Sequence, residues 1–359
     1  MRAAIMRDAR LVVDLMSQPE PAAGEVLVKT LACGICGSDL HALKFGQQMV
    51  ETSKATGGSF SMDLSHDVVM GHEFCAEIVD HGPGTTKSLK AGTRVCSVPM
   101  TIRNGAVSTV GYSNLVPGGY AENMVLHESM LLPVPNGLAS DLAALTEPMA
   151  VGYHAVQMAK LNNAEIPLVI GCGPVGLAVI AALKRQGVGP IIATDFSETR
   201  RKLALIMGAD EVVNPAEASP YDSWRSMATL GVDGSRLPEL PLVGQQYREG
   251  VFFECVGVPG VIDQLMANAR RGCRIVVVGV CMEQDHIRPL VGINKELNLQ
   301  FVLGYTADEF KETLGHIAEG ELDVAPLITG KVGLDGIAAA FVDLGSPEVH
   351  AKILVDPSL

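Results

Sequence analysis

The apolar residues of the chain recur in two rhythms, and the rhythm changes near residue 148. Before that point, short apolar runs at 25–31, 76–79 and 94–98 are separated by turns that contain Gly or Pro. Runs of this length, bounded by turn residues, are typical of β-strands. The first part of the chain is therefore predicted to be rich in β-structure.

After residue 148, short apolar strands alternate with helix-like segments. They are predicted in the order strand 167–171, helix 175–186, strand 191–195, helix 197–207, strand 251–255 and strand 274–279. Ser197 is a favourable N-cap for the second of these helices. This alternation indicates a doubly wound parallel sheet.

One long segment interrupts the alternation. Residues 214–250 are rich in Pro, Gly and Ser and only weakly periodic, although 221–229 could form a helix. We expect this segment to decorate the second domain between its third and fourth strands. Mixed character resumes at residue 294 and ends with a strand-like run at 351–355, and no internal repeat is visible.

Length, charge and cysteine content narrow the possible classes of protein. A chain of 359 residues exceeds one comfortable hydrophobic core, so two domains are expected. The net charge of −13 disfavours binding to nucleic acid or anionic lipid. The start of the chain lacks a signal-peptide core, and no apolar stretch is long enough to span a membrane. Eight scattered cysteines fit free thiols better than disulfides, so we expect a soluble, cytoplasmic protein.

A glycine motif follows the first strand of the alternating region. Residues 171–176, G-C-G-P-V-G, match the pattern G-x-G-x-x-G and precede a predicted helix. Gly171 would permit the tight turn, Gly173 the approach of backbone to a pyrophosphate, and Gly176 close packing of helix on strand. The free N–H groups at the helix start attract phosphate. The motif therefore predicts a dinucleotide site.

The residues around this motif indicate which dinucleotide would bind. Asp195 ends the next predicted strand, where a carboxylate binds a ribose diol and repels a 2′-phosphate, so NAD is favoured over NADP. Asp195 could also merely end the strand. Arg200 could contact the same ribose or be a solvated helix residue. Pro174 and Val175 complete the cofactor-binding set; Val175 would back the nicotinamide, although any small apolar residue would pack there.

A second group of motifs offers metal ligands. C-G-I-C-G-S-D-L-H at 33–41 is followed by G-H-E at 71–73 and E-P at 147–148. Thiolate, imidazole and carboxylate suit zinc, and three protein ligands with an open fourth position make a catalytic site. Each piece alone has an ordinary alternative: a redox C-x-x-C pair, a core histidine or a helix start. Their conjunction with a dinucleotide motif favours a catalytic zinc site.

Together these motifs resemble those of the zinc-containing medium-chain alcohol dehydrogenases, most closely the branch of sorbitol, threonine and glucose dehydrogenases. The resemblance covers nearly the whole chain, up to H-A-K-I-L-V at 350–355. It implies an α/β fold with a GroES-like β-rich catalytic domain from residues 1–148 and 290–359. A Rossmann NAD-binding domain with a doubly wound parallel sheet would occupy 149–289. It also implies a homo-oligomer, tetramer or dimer, that acts on a small alcohol or ketone.

The resemblance implies a ligand set and a reaction. Cys36 and His72 would bind zinc together with a glutamate, either Glu73 or Glu147, between which the sequence does not decide. Zinc would act as a Lewis acid on the substrate oxygen, and NAD would take the hydride. The expected reaction interconverts a secondary alcohol and its ketone.

The same motif supplies a proton path by resemblance. Ser38 resembles the family's relay hydroxyl, and His41 the outer group that passes the proton to water. Asp39 would orient His72 from behind the metal. A turn hydroxyl and a surface histidine are the ordinary alternatives for Ser38 and His41.

The chain departs from the family pattern in three ways. The segment 96–123 holds only Cys96, so the four-cysteine structural zinc site of many relatives cannot be built, and we predict one zinc per chain. The spacing between the first two ligands is longer than usual, and the extra segment, 44–67, could roof the substrate pocket or be a solvated excursion. Ala42 stands where polyol dehydrogenases carry a tyrosine, and Leu303-Gly304 lies near the place of their arginine.

A pocket without those donors would bury polar substrate groups unpaired, which favours a relatively apolar secondary alcohol or hydroxy-ketone. The main alternative is a polyol, sugar or amino-alcohol dehydrogenase. More remote alternatives are a zinc-free reductase and a non-catalytic nucleotide-binding protein of the same fold. The complete ligand set and the Ser38/His41 pair argue against both.

Overall fold

The chain divides into two structural units. The first consists of Met1–Pro148 and Ala307–Leu359, and the second of Met149–Thr306. The computed structural model describes residues 1–103, 105–162, 164–229 and 247–359. Part of the predicted insertion at 214–250 therefore lies outside the described residues.

Within the described residues, strands and helices follow one another along both units. The strands are β1 (Arg2–Arg7), β2 (Arg10–Leu15), β3 (Glu25–Gly34), β4 (Glu73–His81), β5 (Arg94–Ser97), β6 (Met100–Arg103), β7 (Ala106–Thr109), β8 (Asn123–His127), β9 (Leu131–Pro133), β10 (Ile166–Ile170), β11 (Ile192–Thr194), β12 (Glu211–Val213), β13 (Gly250–Glu254), β14 (Arg274–Val277), β15 (Asn298–Phe301), β16 (Ile328–Val332) and β17 (Lys352–Val355). The helices are α1 (Gly37–Thr56), α2 (Ser140–Ala143), α3 (Thr146–Ala159), α4 (Pro174–Arg185), α5 (Glu198–Met207), α6 (Pro220–Ala228), α7 (Val261–Asn268), α8 (Pro289–Lys295), α9 (Ala307–Ala318) and α10 (Ile337–Asp343).

The first unit is organised around a mostly antiparallel sheet with the order β16-β17-β3-β4-β5-β9, in which β8 also pairs with β3. The predicted runs at 25–31, 76–79 and 94–98 correspond to β3, β4 and β5. β3 is buried over most of its length, as expected for a central strand with a nearly continuous apolar sequence. The last strand, β17, joins this sheet by pairing with the end of β3.

The extra segment 44–67 is partly helical. α1 runs from Gly37 to Thr56 with a kink at Phe45, and it ends at Gly57, whose φ of 71° provides a left-handed C-cap. The turn that follows returns toward the unit, since Met62 is only 3% exposed. The segment is therefore built into the first unit rather than extending from it as a free loop.

The second unit contains a six-stranded parallel sheet with the order β12-β11-β10-β13-β14-β15. The two strands that follow β10 in sequence extend to one side of it and the last three to the other, which is the doubly wound order. This confirms the predicted fold class. The unit extends to Thr306 rather than to residue 289, because β15 adds a sixth parallel strand beside β14.

The described part of the insertion contributes to the core of the second unit. In the sequence, α6 lies between β12 and β13. It carries Trp224, which is fully buried. The Trp224 ring packs edge-on against Phe252, and its Nε1–H donates to the Ile166 carbonyl at 3.0 Å. No helix of the described chain is long and apolar enough to cross a lipid bilayer.

Candidate active site

The first candidate site is built at the junction of β3 and α1. Cys36 occupies the N-cap of α1, with φ −92° and ψ 153°, and Ser38 and Asp39 follow in the first turn. One Asp39 carboxylate oxygen accepts a hydrogen bond from the Cys36 N–H at 3.1 Å, so the side chain caps the helix start. The short motif thus places all three predicted residues within one helical turn.

His72 and Glu73 reach the same place from the start of β4. Glu73 is the first residue of β4 and pairs with Gly34 at the end of β3. Potential ligand atoms of Cys36, His72 and Glu73 all lie within 4.8 Å of one another, and the described residues contain no other group of this kind. A thiolate, an imidazole and a carboxylate at this spacing fit the donor set that zinc prefers.

Glu147, the other predicted carboxylate ligand, lies outside this group. It is the second residue of α3 and is 9% exposed. Its charge helps to raise the pKa of Lys352, which places it in the same electrostatic environment as the three clustered residues.

A buried lysine holds Glu73. Lys352 Nζ lies 2.7 Å from each Glu73 carboxylate oxygen and donates a third hydrogen bond to the Ile35 carbonyl at 3.0 Å. Burial lowers the pKa of Lys352, but the charges of Glu73, Cys36 and Glu147 and the hydrogen bond to Glu73 together outweigh it and hold the pKa above its usual value. The sequence analysis missed this residue, although a lysine inside the apolar run at 351–355 was a signal.

Asp39 is fully buried and lies beside His72. Its Oδ1 is 3.4 Å from His72 Nδ1, an ion-pair distance without hydrogen-bond geometry. Burial would raise the pKa of Asp39, but the charge of His72 and hydrogen bonds from Tyr120 and Tyr112 keep it below its usual value. Burial lowers the pKa of His72, and the charges of Asp39 and Cys36 together raise it well above the ordinary range. A carboxylate therefore faces the outer nitrogen of the imidazole, as predicted for an orienting partner.

The two predicted relay residues lie on α1. Ser38 Oγ accepts a hydrogen bond from the Tyr112 hydroxyl at 2.8 Å. His41 is half-buried, and its Nδ1 has no hydrogen-bond partner among the described residues. Burial and the nearby charge of Lys44 lower the pKa of His41, so its ring is neutral at physiological pH.

Cys33, the other half of the C-x-x-C pair, does not join the cluster. It is buried in β3, and burial raises the pKa of its thiol well above the usual value. Cys33 and Cys36 are both free thiols. A redox pair has no support in this arrangement, since reactive thiols need a lowered pKa.

The second candidate site is the glycine turn between β10 and α4 in the second unit. Gly171 has a φ of 91°, and a Cβ on Gly176 would overlap the Gly171 carbonyl, so packing within the protein explains both glycines. A Cβ on Gly173 would meet only Arg200 Nη1, at 4.0 Å. The open space at Gly173 fits the approach of a ligand to the backbone.

The remaining predicted nucleotide residues surround this turn. Pro174 and Val175 open α4, with Gly173 as its N-cap. Asp195 follows β11, and its carboxylate accepts hydrogen bonds from the backbone N–H groups of Cys172 and Ser197, both at 2.8 Å. The Nε of Arg200 is buried and has no hydrogen-bond partner within the part of the chain that the structure describes. An unpaired guanidinium nitrogen beside an open glycine turn fits an anionic ligand such as a dinucleotide phosphate.

Known proteins resemble this chain over nearly its whole length. Residues 22–136 match the alcohol dehydrogenase GroES-like domain, and residues 174–319 match the zinc-binding dehydrogenase domain. The chain is 31% identical to the (R,R)-butanediol dehydrogenase of Bacillus subtilis over 96% of each chain, and 28% identical to the sorbitol dehydrogenase of the same organism over 93% of this chain and 91% of the relative. The crystal structure of 2R,3R-butanediol dehydrogenase from Bacillus subtilis superposes with a TM-score of 0.80 at 28% identity and covers 99% of both chains.

A GroES-like unit that carries a cysteine, histidine and glutamate cluster, joined in one chain to a Rossmann unit, defines a medium-chain dehydrogenase. The chain belongs to the zinc-binding alcohol dehydrogenase family, in the branch that contains butanediol, sorbitol and threonine dehydrogenases. It is accordingly an enzyme that acts on CH–OH groups.

Proposed function

We propose that the enzyme uses one zinc ion per chain and NAD to interconvert a small secondary alcohol and its ketone. The observation that carries the proposal is the convergence of Cys36, His72 and Glu73 within 4.8 Å, with a buried carboxylate behind the histidine. A nucleotide-binding protein without activity has no need of such a set. We further propose that the protein is cytoplasmic and forms a homo-oligomer, either a dimer or a tetramer, as the family resemblance implies.

The metal ligands in this proposal are Cys36, His72 and one of the two glutamates. Glu73 belongs to the cluster, whereas Glu147 lies outside it, which supports Glu73 as the carboxylate ligand and Glu147 as its alternate. When bound, zinc supplies Lewis acidity toward the substrate oxygen, and NAD supplies the hydride acceptor. Lys352 Nζ, 2.7 Å from both Glu73 carboxylate oxygens, compensates the charge of this carboxylate in the buried site.

The remaining chemistry is the removal of a proton, which this chain's own residues perform. Oxidation of the alcohol releases one proton as the hydride leaves carbon. Ser38 lies two residues after a metal ligand and takes part in a hydrogen-bonded pair, so it is suited to receive that proton. His41, neutral and half-buried one turn further along α1, is suited to pass it to solvent.

Asp195 and Arg200 set the cofactor preference in the proposal. A carboxylate at the end of the second parallel strand accepts hydrogen bonds from ribose hydroxyls and repels the 2′-phosphate of NADP. In Asp195→Asn the side chain keeps an acceptor oxygen and loses its charge. We expect the preference for NAD over NADP, measured as the ratio of kcat/KM, to fall roughly ten-fold. An unchanged ratio would mean that Asp195 only stabilises the turn.

The substrate in the proposal is a secondary alcohol with few hydroxyl groups, such as a vicinal diol or its hydroxy-ketone. Ala42 is buried in α1 and Leu303 is 87% exposed, and neither can donate a hydrogen bond to a polyol. The relatives named for butanediol agree with this preference, while those named for sorbitol keep the polyol alternative open.

A panel of substrates tests this choice. We would measure kcat/KM with NAD for 2,3-butanediol isomers, cyclic and aliphatic secondary alcohols, sorbitol and threonine, on zinc-loaded enzyme. The proposal predicts the highest values for the diols or simple secondary alcohols. A clear preference for sorbitol or threonine would replace the proposed substrate class with the polyol or amino-alcohol alternative.

A further inference from the structure

Two segments in which the chain departs from its family pattern pack against each other. One is the turn after α1, residues 57–67, which belongs to the longer spacing between the zinc ligands. The other is the loop at 109–114, in the segment that lacks the structural-zinc cysteines. Hydrogen bonds join them at three points: Ser59 Oγ with Thr109 Oγ1 at 2.6 Å, Ser61 N–H to the Tyr112 carbonyl at 3.0 Å, and Asp63 N–H to Asn114 Oδ1 at 2.7 Å.

This contact brings an aromatic side chain to the candidate metal centre. The Phe60 ring packs on the Tyr112 ring with centroids 4.7 Å apart, and the Tyr112 ring packs on the His72 ring with centroids 5.2 Å apart. Tyr112 is 2% exposed. The two segments thus form one wall of the site, and Tyr112 is the residue through which that wall contacts a predicted ligand.

The Tyr112 hydroxyl lies between two predicted functional groups. It is 2.8 Å from Ser38 Oγ and 2.8 Å from Asp39 Oδ1. The hydroxyl lies within hydrogen-bond distance of both groups, and therefore the positions of Ser38 and Asp39 are linked through it.

We propose that Tyr112 is a positioning residue that couples the proton-accepting Ser38 to the Asp39–His72 pair. The proposal rests on the function proposed above, because it assigns Ser38 to the proton path. By fixing Ser38 Oγ relative to the carboxylate behind His72, Tyr112 holds the relay hydroxyl in register with the metal ligand. A displacement of even about 1 Å at such a position is costly to catalysis.

Tyr120 offers a matched control within the same site. Its hydroxyl donates to Asp39 Oδ2 at 2.6 Å and lies 3.4 Å from the Gly34 carbonyl, and no hydrogen bond joins it to Ser38 in the described structure. Tyr120 is fully buried, like Tyr112. Each tyrosine therefore supports Asp39, but only Tyr112 also contacts the relay hydroxyl.

The experiment compares Tyr112→Phe and Tyr120→Phe in the full-length enzyme, alone and combined with Ser38→Ala. Zinc affinity, measured by competition with a chelator, is expected to fall about ten-fold in both single variants, since each loses one donor to the carboxylate behind His72. Only Tyr112→Phe is expected to lower kcat for 2,3-butanediol about ten-fold further, with KM changed less than two-fold. In the Ser38→Ala background, Tyr112→Phe is expected to cause no further loss of kcat. The loss of zinc affinity caused by Tyr120→Phe is expected to remain in that background.

Asn114→Ala provides a second variant that keeps the tyrosine. It removes the contacts of Asn114 with the backbone of Asp63 and Asp67, and so loosens the wall behind Tyr112. It is expected to lower kcat without changing zinc affinity, and it keeps the test decisive if Tyr112→Phe fails to fold.

Two results would overturn the proposal. One is an equal effect of the two tyrosine variants on kcat. The other is the same loss of kcat, about ten-fold, from Tyr112→Phe in the Ser38→Ala background as in the wild type. Either would show that Tyr112 does not act through Ser38. If Tyr112→Phe does not fold, an unchanged kcat in Asn114→Ala would overturn the proposal instead. Wild-type enzyme that binds no zinc would instead refute the proposed function, and the role of Tyr112 with it, before any variant is compared.

Discussion

At the scale of single residues, the candidate site depends on buried charges that compensate one another. Glu73 and Asp39 are both completely buried, and each is neutralised or hydrogen-bonded by neighbours that lie far away in sequence. Lys352 comes from the last strand of the chain and Tyr120 from the segment before β8. An uncompensated charge in such a place is strongly destabilising, so removal of one partner has a predictable sign.

The Glu73–Lys352 pair gives the first prediction. In Lys352→Met the carboxylate of Glu73 would remain buried without its partner. We expect the free energy of unfolding of the zinc-free protein to fall by about 3–5 kcal/mol, measured by urea denaturation. Glu73→Gln combined with Lys352→Met should recover part of the loss, because no net charge is then buried.

Lys29→Met is the control for this prediction, since Lys29 lies in the neighbouring strand β3 but is exposed. It should change stability by less than about 0.5 kcal/mol. Lys352→Met with wild-type stability would mean that the ion pair is not the reason for the burial of Glu73.

The second prediction concerns the pH dependence of alcohol oxidation. His41 must be neutral to accept a proton, and burial and Lys44 lower its pKa, so kcat should fall only as the pH drops through a value below 6.5. In Lys44→Gln one of the two causes is removed, and the acid limb of the pH profile should move upward toward the ordinary value.

Lys54→Gln at the far end of α1 is the matched control and should leave the pH profile where it is. An acid limb that does not move in Lys44→Gln, or that persists in His41→Gln, would assign the ionisation to another group.

At the scale of elements, the hairpin formed by β6 and β7 occupies the segment where many relatives hold a structural zinc. A buried carboxylate at the start of β3 fastens it. Glu25 is fully buried and accepts hydrogen bonds from Thr101 Oγ1 at 3.0 Å and from Arg103 Nη2 at 2.6 Å. The hairpin is thus held by an ion pair and not by four thiolates.

The third prediction follows from this anchor. Arg103→Met should lower the free energy of unfolding by about 3 kcal/mol, because the charge of Glu25 would remain buried without its partner. Zinc content should stay unchanged, since the hairpin contributes no residue to the candidate metal cluster. Urea denaturation and metal analysis would measure both quantities, with Arg10→Met, an exposed arginine on β2, as the control. A zinc content that falls with stability would contradict the separation of hairpin and metal centre.

The elements also show where sequence reasoning succeeds and where it fails. Four strands of the Rossmann unit, β10, β11, β13 and β14, are predictable, because each is a short apolar run next to a turn signal, and the glycine motif indicates the start of α4. The last strand β15 was assigned to the other domain, because N-L-Q-F at 298–301 carries two polar residues and has no turn signal that ties it to β14. Pairing partners of such a strand depend on tertiary contacts that local patterns do not contain.

The candidate site also contains residues that sequence motifs predict and residues that they do not. Motifs with fixed spacing, such as C-x-S-D-x-H at 36–41 and G-H-E at 71–73, indicated residues that the structure brings together. Tyr112 and Tyr120 stand in segments without a recognisable motif, and their contact with Asp39 arises only from folding. The burial of Trp224 could not be predicted for the same reason, because it lies in a segment that is expected from sequence to be a peripheral insertion.

At the scale of the whole molecule, one chain carries two units with separate chemistry. The first unit carries the candidate metal ligands and the proton path, and the second carries the glycine turn with Asp195 and Arg200. Family membership establishes the class of enzyme, and the geometry within each unit supplies the proposed roles of individual residues. The metal centre is the claim on which the proposed mechanism depends.

Metal analysis of the wild-type enzyme and of Cys36→Ser tests that claim most directly, with Cys281→Ser as a control thiol in the second unit. We expect one zinc per chain in the wild type and in Cys281→Ser, with NAD-linked oxidation that is lost on chelation and restored by zinc. Cys36→Ser should hold well below one zinc per chain and show no activity. Full zinc content in Cys36→Ser, or an active wild-type enzyme without zinc, would contradict the account.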